Sequence, residues 1–235
     1  MSEGATRRRR LVERVPLFAR LAPEQLDALA TVATTRRLAA REELFHKGDP
    51  AAQVYVVASG RLKVATTSRH GDDVTFNLLG EGEVVGELPL LTGGRRTGTV
   101  SALEPSELLV LERRDFLRFL REQPEAASAL LVVLAERLTR ISEFVEDTIF
   151  LKLPARLARK LLHLAESYGE EGKEGTLLQL RLSQGELADL VGTSRESVNK
   201  QIRAWTEEGV LRMERGAITI LHRNTLERLA GMVAT

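Results

Sequence analysis

No cysteine occurs anywhere in the 235 residues. That excludes disulfides, thiolate metal sites, iron–sulfur clusters and thiol redox sensing. Charge of either sign is not in excess: the formal net charge is +1, and both sides of residue 151 lie near neutrality. Any affinity for nucleic acid must then come from where charges sit, not from their number. No apolar run reaches the ~18 residues that suggest a membrane span. The arginine tract Arg7-Arg8-Arg9-Arg10 opens no secretory signal, because Glu13, Arg14 and Arg20 break the only candidate segment. A flexible basic N-terminus over 1–14 and a cytoplasmic location are expected. What remains is an ordinary globular composition, 43% hydrophobic and 29% charged, in a chain long enough for two modest domains.

The periodicity changes along the chain. Val15 to about Ala33 reads as an amphipathic helical lead-in. From Arg37 to Glu112 short apolar stretches alternate with glycines, and Val54 to Val64 reads as a hairpin around Ser59-Gly60. Strands so spaced predict a small antiparallel barrel or jelly roll within a domain spanning 15–125. Residues 126–150 contain neither glycine nor proline, and Leu131, Leu134, Leu138, Ile141 and Val145 step by 3, 4, 3 and 4. That is a coiled-coil seam, which predicts a dimerisation helix and a homodimer. Pro154 marks a hinge over Leu151–Pro154, and a second domain occupies 151–235. There, Ala155 to Tyr168 reads as a helix, 169–175 as a polar loop and Leu177 to Leu182 as a strand.

Two stretches carry chemistry. The first runs Gly86-Glu87-Leu88-Pro89-Leu90-Leu91-Thr92-Gly93-Gly94-Arg95-Arg96-Thr97. Glycine lets backbone amides approach an anion, arginine offers a planar fork for phosphate, and threonine adds a hydroxyl donor. Glu87 would repel phosphate and suits a sugar hydroxyl instead. An anion clamp beside a hydroxyl acceptor fits a ribose cyclic phosphate. The alternative is a Glu87–Arg96 salt bridge that only stabilises the barrel, a contribution of about 0–1 kcal/mol when exposed.

The second is a helix-turn-helix. Ser183 caps a helix from Gln184 to Val191, with Glu186 completing a capping box. Gly192 supplies the turn, and Ser194 caps a second helix from Arg195 to about Glu208. Arg195, Glu196, Asn199 and Lys200 lie on its early turns, where recognition helices read bases. Arginine pairs with guanine and glutamate accepts from cytosine. Val198, Ile202 and Trp205 face the core, and Glu214-Arg215-Gly216 turns a hairpin that makes a wing. His46, His70, His163 and His222 form no evident metal or haem constellation, and no nucleophile–base pair is visible. Neither a metal nor an enzymatic activity is expected.

From about Val15 to Ala230 the chain resembles the cyclic AMP receptor protein/FNR (CRP/FNR) family of bacterial transcription regulators. The resemblance rests on Gly48-Asp49 with Tyr55 to Gly60, the Gly86-Glu87-Leu88…Arg96-Thr97 cassette, the helix end Ile149-Phe150-Leu151, and Val191 to Val198. It implies an α+β fold: a cyclic-nucleotide-binding β jelly-roll barrel, a long dimerisation helix and a winged helix-turn-helix. It further implies that Glu87 accepts from the ribose 2′-hydroxyl, while Arg96 and Thr97 hold the phosphate with amides near Gly86 and Leu88. Ser142 falls where the family contacts adenine, and Arg137, one turn earlier, can reach the base or ribose. Ile141 departs from the pattern, since a threonine stands there in the best-known member. That departure keeps open a same-fold regulator that senses another effector or binds DNA without ligand. The expected effector is cyclic AMP, with cyclic GMP possible. The expected partners are double-stranded DNA carrying an inverted repeat with TGTGA-like half-sites, a second copy of the chain, and RNA polymerase, with no membrane. Ser183 and Ser194 are expected at the DNA surface, Ser194 with nearby amides setting the helix on phosphates.

Overall fold

The computed structural model describes residues 3–18, 21–67, 73–214 and 216–232. The chain divides into two compact units, one of Met1–Thr66 and Phe76–Thr139, the other of Thr67–Thr75 and Arg140–Thr235.

The first unit begins with helix α1 (Glu3–Glu13), a 3-10 turn (Pro16–Phe18) and helix α2 (Pro23–Val32). Eight strands follow: β1 (Thr34–Leu38), β2 (Glu43–Phe45), β3 (Gln53–Ser59), β4 (Leu62–Thr67), β5 (Asp73–Leu79), β6 (Val84–Val85), β7 (Thr99–Ala102) and β8 (Ser106–Glu112). Helix α3 (Leu88–Thr92) interrupts them, and α4 (Arg113–Glu122) and α5 (Pro124–Phe150) close the series. The strands make two antiparallel four-stranded sheets, ordered β1-β8-β3-β6 and β2-β7-β4-β5, which is the expected jelly roll.

The core explains the continuous apolar run in β3. Tyr55 and Val57 point between the sheets, into a cluster with Leu44, Leu62, Leu79, Val85, Val100 and Leu108. Val54, Val56 and Ala58 point the other way, against Val12, Phe18, Leu26, Phe116 and Leu130 of the helices. A strand buried on both faces does not alternate. The turn after it departs from the expected hairpin: β3 and β4 flank Gly60 but enter opposite sheets. Gly60 has φ +85°, and a Cβ there would stand 2.8 Å from Ser106 Cα and 2.7 Å from the Pro105 carbonyl.

Two other expectations give way to structure. Residues 3–13 form a helix, not a flexible tail: Val12 is fully buried, Arg7 pairs with Glu107 at 2.7 Å, and Arg9 pairs with Asp27 at 2.6 Å. The lead-in likewise is not one helix, since Pro16 and Pro23 start separate turns.

Helix α5 starts at Pro124, two residues before the expected boundary, because proline is tolerated in a first turn. At 27 residues it is about 40 Å long. Only Ala126 and Leu130 are buried on it. Leu131, Leu138, Ile141 and Val145, the members of the seam, are 45–66% exposed, whereas Leu134 packs on the first unit's core.

The second unit contains α6 (Leu153–Tyr168), β9 (Gly169–Gly172), β10 (Gly175–Leu178), α7 (Gln184–Val191), α8 (Arg195–Glu207), β11 (Leu211–Glu214), β12 (Ala217–Ile220) and α9 (Arg223–Leu229). Its sheet order is β11-β12-β10-β9. The polar stretch 169–175 is thus a hairpin rather than a loop, and the strand expected over Leu177 to Leu182 ends at Leu178. The end of α5 packs within this unit. Asp147 pairs with Arg159, and the Phe144 ring lies 3.3 Å from where a Gly192 Cβ would be. The division between units therefore falls inside α5, not at residue 151. Pro154 does not break a helix here but sits in the first turn of α6, leaving Leu151 and Lys152 between the two helices.

Gly60→Ala is expected to cost the first unit about 1–3 kcal/mol, from left-handed strain and contact with backbone that cannot retreat. Denaturant unfolding followed by circular dichroism reads that loss.

Candidate functional site

Strand β6 delivers the chain to Gly86, whose φ of +83° favours glycine. A Cβ there would meet Arg96 Nη1 at 2.3 Å, so the missing side chain is also the room that Arg96 occupies. Helix α3 carries the chain away and ends on Gly93 in the left-handed conformation. The return segment is held by its backbone: the Arg96 amide donates to the Asp49 carbonyl at 3.0 Å, and the Gly48 amide donates to the Arg96 carbonyl at 2.8 Å. Gly48-Asp49 and the cassette therefore form one built loop.

The two charged groups are both withdrawn from water. Glu87 is 1% exposed and Arg96 4%. They do not form the alternative salt bridge with each other. Glu87 Oε1 instead accepts from Arg137 Nη1 of α5 at 2.8 Å, and Arg137 Nη2 donates to the Val84 carbonyl. Arg96 donates from Nη1 to the Gly86 carbonyl at 2.9 Å and from Nη2 to the Gln53 carbonyl at 2.7 Å. Its guanidinium carbon lies 4.1 Å from the centre of the Phe45 ring and 5.5 Å from that of Tyr55. Among the described residues Arg96 has no carboxylate within ion-pair distance, and its Nε is buried without a hydrogen-bond partner. Burial pushes its pKa below the usual arginine value, a fall opposed by the neighbouring Tyr55, Asp49 and Glu87. Arginine nonetheless stays protonated. The arrangement is a buried cation with donor capacity to spare, next to a buried carboxylate that already has a cation.

Of the other expected residues, Leu88 and Thr97 are exposed at the rim of this loop. Arg137 belongs to the same unit as the cassette. Ser142, five residues farther along α5, is exposed and belongs to the second unit. Among the described residues no group of three His, Cys, Asp or Glu is placed to hold a metal ion, and His70 lies outside them.

The second unit builds the reader as its local chemistry dictates. Ser183 Oγ accepts from the Glu186 amide at 3.2 Å and the Glu186 carboxylate accepts from the Ser183 amide at 2.7 Å, completing the capping box. Gly192 turns at φ +70°, and Ser194 Oγ accepts from the Ser197 amide at 3.2 Å. Val198, Ile202 and Trp205 are buried, which leaves Arg195, Glu196, Asn199 and Lys200 exposed on one helix. Gln184, which the sequence does not single out, donates to Asn199 Oδ1 at 3.3 Å. On the wing, Arg212 is paired with Glu174 and Glu214; Arg215 lies outside the described residues.

An effector-type jelly roll followed by a winged helix-turn-helix defines a DNA-binding regulator of transcription. Residues 35–123 match the cyclic nucleotide-binding domain family, and residues 155–229 match the Crp-like helix-turn-helix domain family. The chain is similar to the "Cyclic AMP receptor protein" of Thermus thermophilus, 37% identical over 92% of this chain and 96% of that one. It is also similar to the "CRP-like cAMP-activated global transcriptional regulator" of Mycobacterium tuberculosis, 29% identical over 94% and 98% of the two chains. A solved structure of the "c-di-GMP Responsive Global Regulator CLP" of Xanthomonas campestris, 25% identical, covers 85% of this chain and 99% of its own at a TM-score of 0.74. The chain belongs to the CRP/FNR family of transcription regulators, and like these relatives it is a regulator and not an enzyme.

Removing either partner of the Arg137–Glu87 pair strands a buried charge. Arg137→Ala and Glu87→Gln are each expected to cost about 3 kcal/mol, and the double variant less than their sum. Denaturant titration of the four proteins measures the coupling; additive losses would show that the pair contributes no net interaction.

Proposed function

We propose that this regulator works as a homodimer gated by a cyclic nucleotide, with cyclic AMP as the effector and cyclic GMP as the alternative purine. The observation that supports the reading is Arg96: a guanidinium 4% exposed and without a carboxylate partner among the described ion pairs is a buried cation suited to an anion. Glu87 then accepts from a ribose hydroxyl as well as from Arg137, Thr97 adds a phosphate donor from the rim, and backbone near Gly86 and Leu88 lines the approach. Ser142 is proposed to meet the base. The names of the Thermus and Mycobacterium relatives favour cyclic AMP.

Dimerisation is supported by the exposed Leu131, Leu138, Ile141 and Val145 on α5, a stripe of apolar side chains that a second copy would cover. A two-fold dimer presents two copies of α8 to successive major grooves about 34 Å apart. Ser194 with nearby amides sets the recognition helix on phosphates, Ser183 lies at the DNA surface, Arg195 and Glu196 read guanine and cytosine, and Asn199 and Lys200 extend the contact. RNA polymerase in the cytoplasm is the partner such a regulator acts on. No helix among the described residues is long and apolar enough to cross a membrane.

Arg137 supplies the gating route, because it joins the cassette to the same helix that carries the seam. A ligand shifts such an equilibrium only by its differential affinity for the two states. A second reading, another effector or none, is favoured by Ile141 in the base-contact position and by the cyclic dinucleotide named for the Xanthomonas relative.

Fluorescence anisotropy on an inverted-repeat duplex with TGTGA half-sites, at fixed salt, tests the proposal. Saturating cyclic AMP is expected to tighten binding by about 5- to 150-fold. Arg195→Ala is expected to cost about 1–3 kcal/mol and to relax preference at one base pair. DNA affinity indifferent to both cyclic nucleotides would transfer the case to the second reading.

A further inference from the structure

The effector reading assigns tasks to the cassette and to α5 but none to Phe45 and Tyr55, which lie against the guanidinium. We infer that Phe45, backed by Tyr55, is a positioning residue that holds Arg96 in place for a phosphate; the inference rests on the cyclic-nucleotide reading of this site.

Three facts converge on it. The Arg96 backbone is already fixed through Gly48 and Asp49, so only the direction of its side chain is left to set. That direction is set where three residues meet: a Cβ at Gly86 would stand 2.3 Å from Arg96 Nη1 and 3.5 Å from Phe45 Cε1. Gly86 leaves the room, and Phe45 supplies a ring face 4.1 Å from the guanidinium carbon. Tyr55 tilts against Phe45 with ring centres 5.9 Å apart, and its hydroxyl donates to the Gln53 side chain at 3.0 Å. The carbonyl of that same Gln53 accepts from Arg96 Nη2, so the second ring and the second hydrogen bond share one anchor.

The energetics require such a hold. A buried cation without a carboxylate partner is costly, and two carbonyls satisfy only part of a guanidinium's five N–H donors. The negative face of an aromatic ring stabilises the cation without supplying a counter-ion. A carboxylate in the same place would neutralise Arg96 and compete with phosphate, whereas a ring leaves the charge available. Phe45 thus presents Arg96 as an anion clamp before the anion arrives.

The test titrates the full chain with cyclic AMP by calorimetry, for the wild type, Phe45→Leu and Phe45→Tyr. In parallel, the Arg96 Nε–H resonance is followed by nitrogen-15 NMR and assigned by its loss in Arg96→Lys. Phe45→Leu is expected to bind about three- to thirtyfold more weakly, and Phe45→Tyr to bind as the wild type does. The Nε–H signal is expected to be ring-current shifted in the wild type and in Phe45→Tyr, and to move to an ordinary arginine position in Phe45→Leu. Equal affinity of wild type and Phe45→Leu, or a signal unmoved by that change, overturns the inference. A wild type that binds neither cyclic AMP nor cyclic GMP overturns the effector reading itself. The NMR comparison then decides alone whether Phe45 holds Arg96.

Discussion

A carboxylate removed from water must find a cation, and Glu87 finds its cation on a distant part of the chain. Glu87 is 1% exposed, and its partner Arg137 arrives from the long helix, fifty residues later. Taking both ions out of water is expensive, so such a pair adds little net stability while making the loss of either member costly. Its significance is positional. The pair ties the cassette to α5 at Arg137, which also donates to the Val84 carbonyl beside it.

The rest of the first unit serves this arrangement. A strand buried on both faces supports β6, which ends in the one glycine that makes room for Arg96. The two arginines near the cassette then differ in kind. Arg137 is neutralised by a carboxylate, and Arg96 is held by carbonyls and rings, with no carboxylate within ion-pair distance among the described residues. The proposed hydroxyl acceptor and anion clamp are thus two separate buried groups. In the second unit the exposed Arg195, Glu196, Asn199 and Lys200 stand on a helix whose opposite face, Val198, Ile202 and Trp205, is locked into a core.

The sequence was most legible where the physics is local. The caps at Ser183 and Ser194 and the turn at Gly192 depend on groups three residues apart or on a single glycine, and each stands where the spacing puts it. The cassette was legible as chemistry, since glycine, carboxylate and arginine at that spacing suit one class of ligand. It was not legible as geometry. Nothing in a linear pattern pairs Glu87 with Arg137 or seats Arg96 on Phe45, because both contacts join elements far apart in the chain. Gly60 shows the same limit: its turn is legible, but that the next strand enters another sheet is not. The N-terminal arginines looked like a solvated tail because their acceptors, Glu107, Asp27 and the Ala30 carbonyl, belong to other elements.

The central claim is that Arg96 is a phosphate clamp waiting in a preformed site. Calorimetric titration of the wild type and Arg96→Ala with cyclic AMP and with cyclic GMP tests it most directly. The account predicts saturable binding of one cyclic nucleotide by the wild type and its loss in the variant. Undiminished binding by Arg96→Ala, or none by the wild type, would contradict it.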